Sequence, residues 1–121
     1  PLGTFPDLIT FTDGTVVSTR PKYIASSPAG PLMESPGHGA YNRAGRCDDF
    51  NVVLVNLLQG APGNGLLDGN LFGVENISWK AQVDERTGAI SGPWSSTVTD
   101  GNGNVVMALS GTITGRRITA P

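Results

Sequence analysis

Residues 71–119, LFGVENISWKAQVDERTGAISGPWSSTVTDGNGNVVMALSGTITGRRIT, decide the fold class. Ile77, Trp79, Ala81 and Val83 alternate there with Asn76, Ser78, Lys80 and Gln82, the period of two of a strand with one buried and one wetted face. Asp84-Glu85-Arg86-Thr87-Gly88 then turns the chain, and in the next segment Trp94, Ser96 and Val98 share one face while Ser95, Thr97 and Thr99 share the other. Asp100-Gly101-Asn102-Gly103-Asn104 turns it again, because Gly and Asn supply the positive φ angles of tight hairpins. Two further segments, Val105 to Ser110 and Thr112 to Thr119, complete a meander.

Upstream, Asp13-Gly14 separates Leu8–Thr12 from Val16–Thr19, and Asp-Gly between apolar runs is a strong hairpin signal. Pro21 denies a ladder donor and restricts Arg20, which suits a sheet edge or a bend. Residues 25–37, ASSPAGPLMESPG, hold three prolines and two glycines and are expected to form a long irregular loop, with Leu32 and Met33 either tucked onto the sheet or lying over a ligand. Out of that loop comes a strand in which His38, Ala40 and Asn42 face one way and Gly39, Tyr41 and Arg43 the other. Asp48–Leu58, DDFNVVLVNLL, is apolar on both faces: Phe50, Val52, Leu54 and Asn56 on one, Val53, Val55 and Leu57 on the other. Such a strand is expected to be covered twice, once by the interior and once by a loop, a missing segment or a second subunit. Residues 59–70, with four glycines, read as a second long loop.

The 121 residues form one domain, 1–121, large enough to bury roughly two-thirds of its unfolded surface without a staple. Charged residues are 15% of the chain, with three Glu and two Lys, while Gly and Pro together number 26 from 17 and 9. That balance favours short strands and many turns over helices. A net charge of −2 with scattered cations argues against a nucleic-acid partner. Arg43 with Arg46, and Arg116 with Arg117, read as solvated rims. Neither a long apolar run nor a signal-peptide pattern points to a membrane. Cys47 is the single cysteine, which excludes an internal disulfide and fits a reducing, cytoplasmic setting better than secretion. Asn76-Ile77-Ser78 matches a glycosylation sequon that arises often by chance.

Seven or eight antiparallel strands with turns at roughly ten-residue intervals indicate an all-β chain, either a small sandwich or, preferably, a small up-and-down β-barrel, since apolar faces on both sides leave little place for an open edge. Residues 10–19 (TFTDGTVVST), 35–45 (SPGHGAYNRAG), 48–58 (DDFNVVLVNLL) and 100–118 (DGNGNVVMALSGTITGRRI) resemble a group of small uncharacterised bacterial proteins of lipocalin-like, or calycin-like, barrel type. The resemblance covers nearly the whole chain and implies an interior cavity, without bringing a reaction or settled catalytic residues. Barrels of that group usually open with a Gly-Thr-Trp strand. This chain lacks one and starts at Pro1 without a methionine, so an N-terminal strand is expected to be missing.

Catalytic signals are sparse. One His and one Cys cannot supply a zinc site, Asp48 and Asp49 point to opposite faces, and there is no nucleophile elbow, phosphate loop or dinucleotide fingerprint; neither metal nor cofactor is expected. The first reading is a binding module that holds a small apolar or aromatic molecule among Trp79, Trp94, Phe50, Leu54 and Met107, with His38 or Tyr41 at the mouth. Trp79 and Trp94 make either a core plug or the wall of an apolar pocket, and the plug is the plainer account. The alternative is a cofactor-independent isomerase, cyclase or hydratase in which His38 moves a proton, Glu34 orients it, and Tyr41 or Arg20 steadies negative charge. A structural histidine bonding the loop backbone is the plainer account of His38. A third reading is a structural subunit, and residues 50–58 favour a homo-oligomer, most simply a dimer.

Overall fold

The computed structural model describes residues 7–19, 23–24, 27, 29–45, 48–65 and 68–118. The regular elements are nine strands: β1 (Leu8–Thr12), β2 (Thr15–Thr19), β3 (Tyr23–Ile24), β4 (Leu32–Glu34), β5 (Gly37–Arg43), β6 (Asp49–Gly60), β7 (Leu71–Val83), β8 (Ala89–Asp100) and β9 (Val105–Arg116). They make one antiparallel sheet in the order β1-β2-β5-β6-β7-β8-β9, with β4 beside β6 and β3 beside β4. The protein is all-β, as its turn spacing predicts. Among the described residues no helix is long and apolar enough to cross a membrane, which leaves strands out of account.

Local chemistry sets the hairpins. Asp13 and Gly14 both take positive φ, 50° and 83°, which matches the twist of the flanking strands as an ordinary turn would not. Between β7 and β8 the Asp84 carboxylate accepts from the backbone N–H groups of Arg86 and Thr87 at 2.9 and 3.3 Å. Between β8 and β9 Asp100 accepts from those of Asn102 and Asn104 at 2.9 and 3.1 Å. Both aspartates thus close turns by standing in for a backbone acceptor.

Three expected boundaries move. The segments expected on either side of Gly111 are one, since β9 runs unbroken over Val105–Arg116 while Thr119 lies outside the described residues, and Trp94, the residue opposite, lies over the glycine so closely that an added Cβ would sit 2.7 Å from its indole nitrogen. A ring on a neighbouring strand covers a position that reads as a break. Residues 32–34 are not loop, for β4 pairs Leu32, Met33 and Glu34 with Gly60, Gln59 and Leu58. Leu32 is fully buried against Leu58 and Val98, the tucked-down outcome. Finally, β6 runs on to Gly60, so the connection to β7 is shorter than expected.

The sheet curls. Phe11 on β1 and Trp79 on β7 are four strands apart along the sheet, about 19 Å if it were flat, yet their ring centroids are 6.3 Å apart. Curling gathers a buried cluster of Val16, Val52, Leu54, Ile77, Trp79 and Ala81, against which Ile9 and Phe11 pack from one end of the sheet and Ile113 from the other. Toward the other end of the strands Leu32, Leu58 and Val98 form a second cluster, with Phe72 and Met107. Phe72 reaches it because the register shifts by one residue between Leu58 and Gln59, which turns an otherwise outward side chain inward. Among the described residues β1 and β9 share no pairing, so the curl is barrel-like without being closed.

Candidate functional site

Strand parity gives the concave face a belt of polar side chains between the two apolar clusters. Ser18 on β2, Asn56 on β6, Glu75 on β7, Ser96 on β8 and Glu34 on β4 are all buried, and Asn56 stands directly opposite Glu75. A buried polar group costs free energy unless a hydrogen bond replaces its water. Ser18 Oγ meets this by donating to the Asp7 carboxylate at 2.9 and 2.8 Å.

Asn56 is held by a local device. Where β4 gives way to β5, Ser35 takes over both rungs to β6: its N–H donates to Leu57 O at 2.9 Å, and its Oγ accepts from Leu57 N at 2.8 Å. The Ser35 carbonyl turns inward and accepts from Asn56 Nδ2 at 2.8 Å. Asn56 Oδ1 then lies over Gly37, where an added Cβ would come within 3.0 Å. Among the described residues that oxygen has no hydrogen-bond partner, nor has Ser96 Oγ, although Asn56 is 2% and Ser96 3% exposed. Trp79 Nε1 is also without a partner among the described residues; it lies beside Gly92, four residues along β8 from Ser96, about 13 Å in an extended strand.

The residues expected to bind a ligand are partly brought together. Trp79 and Trp94 face each other across β7 and β8 and pack with Phe50 and Leu54 in one cluster. Phe11 and Tyr41 join them edge to face, centroids 5.1 Å apart. Met107 belongs to the second cluster instead. Trp79 and Leu54 are buried, whereas Trp94, Phe50, Tyr41, Leu109 and Ile113 are half-buried. Arg20 and Cys47 lie outside the described residues.

The acid–base arrangement does not form. His38 sits on the convex face, exposed, in register with Val17 and Val55, while Tyr41, three residues on along β5, faces inward onto Phe11. Odd and even positions of one strand cannot serve one pocket. Glu34 is on the inner face with Leu58, so it is not the partner of His38. Val53, Val55 and Leu57 are not covered by the described residues: they are 52%, 44% and 51% exposed.

Two depressions mark the surface. One, about 560 Å³, lies by the β7–β8 turn between Asp48, Asp84 and Arg86. The other, about 470 Å³, lies among Val53, Val55, Asn76, Ser78, Ser95 and Thr97, the outward set of β6, β7 and β8. The first sits at that turn and the second is lined mainly from the outward side, while the two apolar clusters pack on the inner face. The described residues hold no cluster of ligating side chains fit for a metal. The polar belt was readable in principle from Asn56 and Ser96, whose parity puts them inside. Comparison with protein-family models, curated proteins and solved structures finds no match to this chain.

Proposed function

We propose that this protein is a small-molecule-binding domain of lipocalin-like type, which takes a ligand with an apolar or aromatic body on its concave face. The observation that carries the reading is the half-buried state of Trp94, Phe50, Tyr41 and Ile113, inward-facing side chains beside the buried Trp79 cluster. Apolar and aromatic walls with a few placed polar groups are the usual lining of a ligand site, and the edges of β1 and β9, unpaired among the described residues, would offer a seam for entry. The chemistry supporting an isomerase, cyclase or hydratase is weaker, because His38 and Tyr41 face opposite sides. Native mass spectrometry of the purified protein tests the proposal. A retained small molecule, lost on Trp94→Ala, is the expected result. A bare protein mass, together with unchanged tryptophan fluorescence across a panel of aromatic and aliphatic probes, rejects it.

A second copy of the chain accounts best for the outer face of β6, where Val53, Val55 and Leu57 stand exposed, with the exposed Val17 two strands away across His38. A row of aliphatic side chains of this kind is uncommon on a monomer, and we read it as the contact of a homodimer. Sedimentation tests it: a dimer that Leu57→Glu converts to monomer supports the reading, and a wild-type monomer rejects it. The cytoplasmic setting stays part of the same proposal and rests on the lone Cys47.

A further inference from the structure

Three inward positions of β8 and β9 are glycines. Gly92, Gly111 and Gly115 share the side of their strands with Ile90, Trp94 and Ile113, which pack on the Trp79 cluster. Two of the three are filled by an apolar neighbour: Trp94 lays its ring over Gly111, with three ring atoms within 3.0 Å of where a Cβ would stand, and Ile90 Cγ2 comes to 3.5 Å of that point at Gly115. Gly92 is different. The nearest side-chain atom there is Trp79 Nε1, 3.1 Å from the same point, so the polar edge of the indole is what faces the gap. An indole N–H donates and cannot accept, and a buried one usually finds an acceptor. Trp79 is 1% exposed, and its N–H has no partner among the described residues.

Leaving a buried donor unmet is costly, and a site built to hydrogen-bond one group holds its donor ready for it. Resting on the binding reading above, we infer that the ligand carries an uncharged hydrogen-bond acceptor, a ketone, ester or ether oxygen, which seats beside Gly92 and takes the proton offered by Trp79 Nε1. The place suits an apolar body as well. Ile90, Gly92, Trp94 and Ile113 are all half-buried, and Ile113 stands directly opposite Gly92 on β9, so a swing of that one side chain clears the way to the N–H. A carboxylate is poorly served here, because a single N–H does not replace the water it would lose. Arg43 holds its guanidinium over the Phe50 ring on β6, with β7 between that strand and β8. The protein's own competitor for the proton is Lys80 O, which lies against the same glycine.

Three naphthalenes of similar shape decide the matter on the full chain: 2-acetylnaphthalene, 2-naphthoate and 2-ethylnaphthalene. The chain has two tryptophans, hence two indole resonances in a proton–nitrogen correlation spectrum, and Trp94→Phe leaves only that of Trp79. The ketone is expected to move the Trp79 indole proton downfield relative to the hydrocarbon, which brings the same ring without an acceptor. In competition titrations the ketone is expected to bind at least about tenfold tighter than the naphthoate, and Trp79→Phe to lower the ketone-to-hydrocarbon affinity ratio by about tenfold. A Trp79 proton that sits alike with ketone and hydrocarbon means that the donor is met within the protein, and it overturns the inference. Naphthoate binding as tight as the ketone does the same; hydrocarbon binding in either case keeps the binding reading. Failure of all three to bind overturns both. Should Trp79→Phe not fold, the spectra of the wild-type chain decide alone.

Discussion

The two faces of β6 break the usual alternation in opposite directions. Its buried face carries Asn56, 2% exposed, while its open face carries Val53, Val55 and Leu57 at roughly half exposure. The neighbouring β7 follows the rule over most of its length, with Ile77, Trp79 and Ala81 inside and Asn76, Ser78 and Lys80 outside. Departures of this kind, on a chain that satisfies the rule one strand over, are what the binding and dimer proposals set out to explain. The inner exception leaves an amide oxygen without a partner among the described residues, the outer one a row of aliphatic side chains exposed.

Substitutions sharpen that contrast. Trp79→Ala removes the largest fully buried side chain and is expected to cost about 3–5 kcal/mol in urea unfolding; a loss below about 1 kcal/mol would mean that the concave face is not the core. Gly37→Ala sets a Cβ 3.0 Å from Asn56 Oδ1 and is expected to cost about 1–3 kcal/mol through displacement of the amide. Ser96→Ala is expected to change stability in the other sense, by zero to about +1 kcal/mol, because the deleted hydroxyl is buried without a partner; a clear destabilisation would show that the hydroxyl is satisfied in solution. His38→Gln, on the convex face, is expected to stay within about 0.5 kcal/mol of wild type and to leave ligand binding unchanged. A tenfold loss of binding there would restore the acid–base reading.

Much of this fold is legible in short-range signals. Asp-Gly at 13–14 and the Asp-led turns at 84 and 100 set hairpins whose residues supply the required backbone and hydrogen bonds themselves, so β1, β2, β7 and β8 can be read locally. β4 cannot, because Pro31, Ser35 and Pro36 spell a loop and only the register against Leu58–Gly60 makes Leu32–Glu34 a strand. Gly111 reads as a break until Trp94 is seen across from it. The aromatic half of the candidate site follows from parity, which puts Trp79 and Trp94 on one side. Its polar half was passed over because a single Asn or Ser in an apolar strand carries no sign of whether a partner awaits it. His38 misled because proximity to a loop says nothing about which face a side chain takes.

A closed barrel has its bore set by strand number and stagger. The unclosed sheet has no such constraint: the spacing between β1 and β9 is a mechanical degree of freedom, and small changes of twist between neighbours add up along seven strands. The aromatic contact between Phe11 and Trp79, 6.3 Å between centroids, then works as a latch that sets the resting width. If the binding proposal holds, a loosened latch would let the same scaffold grip occupants of different girth, and selectivity for size would reside in one pair of rings instead of in the dimensions of the sheet.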